Sequence, residues 1–246
     1  MFSDELLQAL REECASDVGR EVRERVCRTL SAALRDTGAV LWTGGWMIGS
    51  DRANHESPFK FGSDATVGLA TIAQVAGELS SGVVLLLEQE NMYSAAALLR
   101  QIVETEYLAW AFSEDKDEAA NWMQSSSADR RRIWKPEHIR NRSAGRFRSV
   151  DYGRHCETGG HPTPVALSLL PDHENYHISL LWLELAHHGV SAWHYIEDAT
   201  RDLGYGDEIA NILSVQQMQT AIADWKMQDN LSRVKRQVTA REREAD

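Results

Sequence analysis

Arg100 and Glu104 stand four residues apart in an alanine- and leucine-rich stretch, residues 89–118, and they open the list of groups placed to do chemistry. At about 100° per residue, Tyr93, Ala96, Ala97, Glu104, Tyr107 and Ala111 share the face of Arg100. The i,i+4 spacing lets the guanidinium and the carboxylate pair along the helix. Glu106 falls on another side, between Ala95, Leu99 and Trp110, where a carboxylate is costly without a partner.

A second group is strongly cationic. Arg130, Arg131, Arg132, Lys135, Arg140, Arg142, Arg146, Arg148 and Arg154 are opposed over residues 130–154 only by Glu137 and Asp151. Trp134, Phe147 and Tyr152 are interleaved among them. Guanidinium forks grip phosphates bidentately, and aromatic rings can stack on unpaired bases, so this pattern fits a nucleic-acid surface. A solvated helix face has the same composition, as does a dimer surface whose arginines meet acids of the partner.

The cationic segment runs into YGRHCETGGHPTP, residues 152–164. Arg148 precedes His155 with six residues between, and Arg154 precedes His161 likewise. With the Arg-x-x-x-Glu pair (Arg100, Glu104) and the Tyr…Cys…His-Pro series (Tyr152, Cys156, His161, Pro162), the chain resembles the HEPN-like helical proteins (higher eukaryote and prokaryote nucleotide-binding). The likeness is to a bacterial branch of them and covers about residues 65–200. It implies an all-α antiparallel bundle in a homodimer that binds RNA or a nucleotide. Many such proteins are metal-independent endoribonucleases of toxin–antitoxin or phage-defence systems, so a cognate antitoxin or operon partner is implied too.

Carried onto this sequence, the resemblance makes His161 the acid/base residue. A histidine near neutral pKa can move a proton at the RNA 2′-hydroxyl or the leaving oxygen. Arg154 or Arg148 would neutralise charge growing on the phosphate. Tyr152 would orient or stack, while Arg100 and Glu104 hold the cleft in shape. Arg130, Arg131, Arg132, Lys135, Arg140, Arg142 and Arg146 would carry the nucleic acid. The chain departs from the family in one respect: its glycines and prolines predict a loop where the family places a helix. On the bland reading, Tyr152 and His161 are hydrogen-bonded core residues.

A third group is His173-Glu174-Asn175-Tyr176-His177, which fits HExxH. That spacing sets two imidazoles on one helical face for zinc, with the glutamate activating water. Glu184 could complete the set, giving a zinc-dependent hydrolase as an alternative in which His173, His177 and Glu184 are ligands and Glu174 is the base. Glu184, His188, Ser191, Tyr195 and Asp198 continue the stripe, and Glu184 with His187 forms ExxH. The opposite face holds Ile178, Trp182, Leu185, Ala186, Trp193 and Ile196, so a water-facing or polar-interface stripe is the favoured reading and no cofactor is expected. Walker, Rossmann and GxSxG patterns are missing, which argues against nucleotide triphosphatases, dinucleotide enzymes and serine hydrolases. A non-catalytic interaction module is the remaining class, binding a partner through residues 38–64 or the arginine surface.

The elements behind these groups read as helices. Of 246 residues, 43% are hydrophobic and 26% charged, and 37 acids against 26 bases give a net charge of −11. A general attraction to nucleic acid or anionic membrane is thereby disfavoured, though a local basic site is not. No run reaches the roughly 20 apolar residues that span a bilayer, so no membrane role is expected. Cys14, Cys27 and Cys156 form no CxxC and fit a cytoplasmic protein. Helical spacing of Leu6, Leu10, Val18, Val22, Val26, Leu30 and Leu34 predicts amphipathic helices over 1–37, closed by Gly38. Residues 38–64, rich in glycine and aromatics, read as a connection with a short strand around 39–42. Residues 65–228 read as the helical core and 229–246 as a charged tail that frays, all in one domain.

Overall fold

The computed structural model describes residues 4–47, 63–115, 117–170 and 176–237, and all the regular structure among them is helical. Helix α1 (Asp4–Ala15) leads into the long α2 (Asp17–Met47), which buries Val22, Val26, Leu30, Leu34 and Leu41. α2 does not stop at Gly38, and no strand forms around residue 40. The glycines there serve packing rather than termination. A Cβ on Gly38 would lie 2.5 Å from the Gln74 side chain, and one on Gly45 would lie 2.8 Å from Val67. Only a residue without Cβ lets the next helix approach this closely. Residues 48–62 of the expected connection lie outside the described residues.

That next helix, α3 (Asp64–Glu88), starts at Ser63, whose hydroxyl accepts a hydrogen bond from the Thr66 N–H at 3.1 Å, a standard N-cap. It packs against α2 and against three later helices: α4 (Met92–Glu114), α5 (Glu118–Gln124) and α9 (Tyr176–Asp202). By length and hydropathy α3 could cross a bilayer, but Leu69, Ala73, Val83 and Leu87 are buried by those helices, the pattern of a core helix. Each fully buried leucine contributes about 1.5–3 kcal/mol.

Between α5 and α9 the chain makes short elements: α6 (Ser127–Ile133), α7 (Pro136–Arg142) and α8 (Ser149–His155). A π-helical turn (Cys156–Gly160) and a 3₁₀ turn (Pro164–Leu169) follow. The segment expected to be a loop is therefore helical over 149–160, and only residues 161–163 before the 3₁₀ turn are irregular. Gly159 makes this possible: a Cβ there would sit 2.3 Å from the Ala96 carbonyl carbon, so the turn lies directly on the backbone of α4.

The chain after α9 makes two helices, α10 (Gly206–Ala210) and α11 (Leu213–Gln228), and α11 packs on α2. The tail does not fray at its start. Residues 231–237 form a further helical turn with Leu231 and Val234 buried. Ahead of it, Asp229 meets the fully buried Arg23 of α2 at 2.6 Å and accepts a hydrogen bond from Trp225 Nε1 at 2.9 Å. A paired, hydrogen-bonded buried charge holds its segment firmly, because separating it strands both ions.

Candidate functional site

Two polar groups lie side by side where α4, α8 and α9 meet. In the first, the Arg100–Glu104 pair forms as its spacing requires, with Nη2 to Oε1 at 3.0 Å. Tyr152 of α8 joins it. Its hydroxyl donates to Glu104 Oε1 at 2.7 Å and accepts from Arg100 Nη2 at 3.1 Å. Burial and the Glu104 carboxylate push the Tyr152 phenol up to about 12, so it stays protonated and keeps donating. The Tyr152 hydrogen bond, together with the nearby Glu104 charge, raises the Arg100 pKa against the opposing effect of burial. Arg140 of α7 lies over the Tyr152 ring at 4.6 Å from its centroid, within cation–π range. Arg100 Nε and Arg140 Nη1 are both buried with no hydrogen-bond acceptor.

The second group contains the carboxylate that needed a partner. Glu106 is 6% exposed, and its Oε2 lies 2.6 Å from Nδ1 of His188 on α9. The other nitrogen of His188, Nε2, lies 3.2 Å from Glu184 Oε2. His155, the last residue of α8, turns its Nε2 toward the same Glu184 oxygen at 3.9 Å, its ring edge-on to His188 at 5.0 Å. Lys235, from the turn at 231–237, contacts Glu184 Oε1. Burial, with His188 and Lys235 nearby, lowers the His155 pKa to about 3 and leaves a neutral imidazole. Burial also lowers Lys235, to about 8, helped by Arg154. On the far side of α9, His187 lies edge-on to Trp225 and within 3.0 Å of the Ser232 hydroxyl, and burial lowers its pKa to about 4.

The residues singled out from sequence are distributed unevenly. Tyr152, Arg100, Glu104 and Arg140 come together. His161 is exposed and, among the described residues, makes no hydrogen bond, ion pair or ring contact. Arg148 is held bidentately by Asp151 at 2.7 and 2.8 Å, within its own helix. Arg154 is exposed.

Part of the cationic segment is engaged by its neighbours. Arg132 pairs with Asp129, Arg142 with Glu118, and Arg130 donates to the Ser125 carbonyl. Arg146 donates to the Tyr195 hydroxyl at 3.2 Å. Arg131 and Lys135 are exposed, with no ion pair among the described residues. Its aromatics point inward instead of outward. Trp134 is buried and donates to Glu118, while Phe147 packs on Tyr107 and Trp110. Stacking on bases is closed to both.

Of the HExxH set, His173 and Glu174 lie outside the described residues. His177 stacks on Tyr176 at 4.1 Å. Glu184 belongs instead with His155 and His188, and along the stripe of α9 His188, Ser191 and Tyr195 are partly buried while Asp198 is exposed. Glu106, His155 and His188 are what sequence reading did not gather. The available signals were an acid on a buried face of one helix and a histidine stripe on another. No family model, curated protein or solved structure matches this chain.

Proposed function

We propose that this is an HEPN-like protein, an antiparallel helical bundle acting as a homodimer, that binds a phosphate-bearing ligand, RNA or a nucleotide, along the seam between α4, α7 and α8. One observation carries the reading. Arg100, Glu104 and Tyr152, residues 48 and 52 positions apart in the chain, meet within hydrogen-bonding distance, with Arg140 over the same ring. Arg100 Nε and Arg140 Nη1 lack acceptors there, and a buried guanidinium N–H without one is costly. A phosphate oxygen is the acceptor such donors suit best. Side chains about 30% exposed at Arg100 and Glu104 leave the seam open to solvent. A net charge of −11 confines the attraction to this local site.

Binding is tested with a labelled single-stranded RNA and, separately, a nucleoside monophosphate, at two salt concentrations. The double variant Arg100→Gln/Arg140→Gln should lose at least about tenfold in affinity and show a shallower salt dependence. No binding by the wild type, or equal binding by the double variant, removes the reading. Cutting is a separate claim, tested by incubating wild type and His161→Ala with RNA in EDTA. Equal cleavage by the two, or none by either, confines the protein to binding.

A further inference from the structure

We propose that His155, Glu184 and His188 form a binding site for a divalent transition-metal ion, with Glu106 holding one ligand from behind. One ligand atom from each of the three lies within 4.8 Å of the others. Two donors bound to one ion at 2.0–2.1 Å in tetrahedral geometry stand about 3.3 Å apart. Glu184 Oε2 is 3.2 Å from His188 Nε2 and 3.9 Å from His155 Nε2, so small side-chain rotations close the set.

Hydrogen-bond logic points the same way. Glu106 is buried, and as a carboxylate its oxygen at 2.6 Å accepts from a His188 tautomer that carries its proton on Nδ1. In the neutral ring, Nε2 then carries a lone pair aimed at a carboxylate oxygen only 3.2 Å away. Two acceptors face each other, and something positive belongs between them: a second proton on His188, or a metal ion. His155 decides for the metal. Its Nε2 points at the same oxygen, and a single proton on His188 would leave that second imidazole without a role. A carboxylate behind a ligating histidine is the usual arrangement that fixes the tautomer and raises ligand basicity. Lys235 contacts the other oxygen, Oε1, and leaves Oε2 for the ion. Two imidazoles and a carboxylate suit Zn²⁺, Fe²⁺ or Co²⁺ better than the harder Mg²⁺ or Ca²⁺. Three protein ligands leave a coordination position open, and exposures of 14–23% make it reachable by water.

This site differs from the HExxH set, sharing only Glu184 with it, and it does not depend on phosphate binding at Arg100. The full-length protein, stripped with EDTA and dialysed, is titrated with Zn²⁺ by calorimetry and with Co²⁺ by visible ligand-field absorption. One equivalent should bind. His188→Gln and Glu184→Gln should each weaken binding at least 100-fold, and Glu106→Gln about 10–100-fold as an outer carboxylate does. His177→Ala should leave it unchanged. Should His188→Gln fail to fold, His155→Gln provides the second test, and the Co²⁺ spectrum of the wild type reports histidine coordination directly. Less than a tenth of an equivalent on the wild type means the gap holds a proton alone and overturns the proposal. So does undiminished binding in the folded His188 or His155 variant, or loss of binding in His177→Ala, which would move the ion to HExxH.

Discussion

Arg23 with Asp229, and Glu106 with His188, bury charge in two parts of the described molecule, and they are built differently. Asp229 divides its oxygens among the Arg23 guanidinium, Trp225 Nε1 and the Leu231 N–H. Both side chains of the ion pair are fully shielded. Glu106 meets one histidine, which leads to a second carboxylate, a second histidine and a lysine, with solvent at the margin. The first carboxylate is saturated and sealed, so it fixes structure. The second group gathers lone pairs toward a common point and stays accessible, as a binding site must. Acceptors left facing one another separate the two cases better than burial does.

Mutation can break this contrast. Asp229→Ala leaves Arg23 buried without its counter-ion and should cost about 3–5 kcal/mol, seen as a melting temperature lower by roughly 10 °C. Glu106→Gln in metal-free protein should cost much less, since an amide can still accept from His188. If the two melting temperatures fall equally, the distinction between sealed and open clusters is lost.

Acid should act next. His155 and His187 are held near 3 and 4, against about 6.5 when unfolded. Between those values the unfolded chain binds more protons than the folded one. Stability is therefore full above pH 6.5 and declines as pH falls toward 4, by on the order of 6 kcal/mol for the two together. His187→Gln should flatten that slope in denaturant titrations run at several pH values, and an unchanged slope would assign the acid sensitivity elsewhere.

Gly159→Ala should cost about 1–3 kcal/mol by overpacking against Ala96, and it should weaken RNA binding by displacing Tyr152. Arg148→Ala, which breaks a half-exposed pair within one helix, should cost under about 1 kcal/mol. A larger loss would mean that Arg148 does more than close its own turn.

The helices were legible because their apolar residues recur at helical spacing. The Arg100–Glu104 pair was legible because it is local, and the need of Glu106 for a partner followed from its position among apolar neighbours. The identity of that partner was not legible, since His188 lies on a different helix and only packing joins them. Glycine misled the reading in two places. Gly38 and Gly45 resemble a helix stop, and Gly153, Gly159 and Gly160 resemble a loop, yet Gly38 and Gly159 sit where another backbone presses close, and Gly45 lies against the side chains of Thr66 and Val67. The expected fraying of the tail does not hold over residues 231–237, where packing again decides. Its charges look solvated in sequence, but Asp229 and Lys235 are matched by residues far upstream. His161 was prominent only through its neighbours in the motif, and it is exposed with no hydrogen bond or ion pair among the described residues.

The closing turn at 231–237 also bears on how the protein is made. Glu106 emerges from the ribosome long before Lys235, so the pocket stands without its final wall until synthesis has passed that point. A nascent chain can fold its early helices, but the cluster around Glu184 lacks its lysine until residue 235 has left the ribosome.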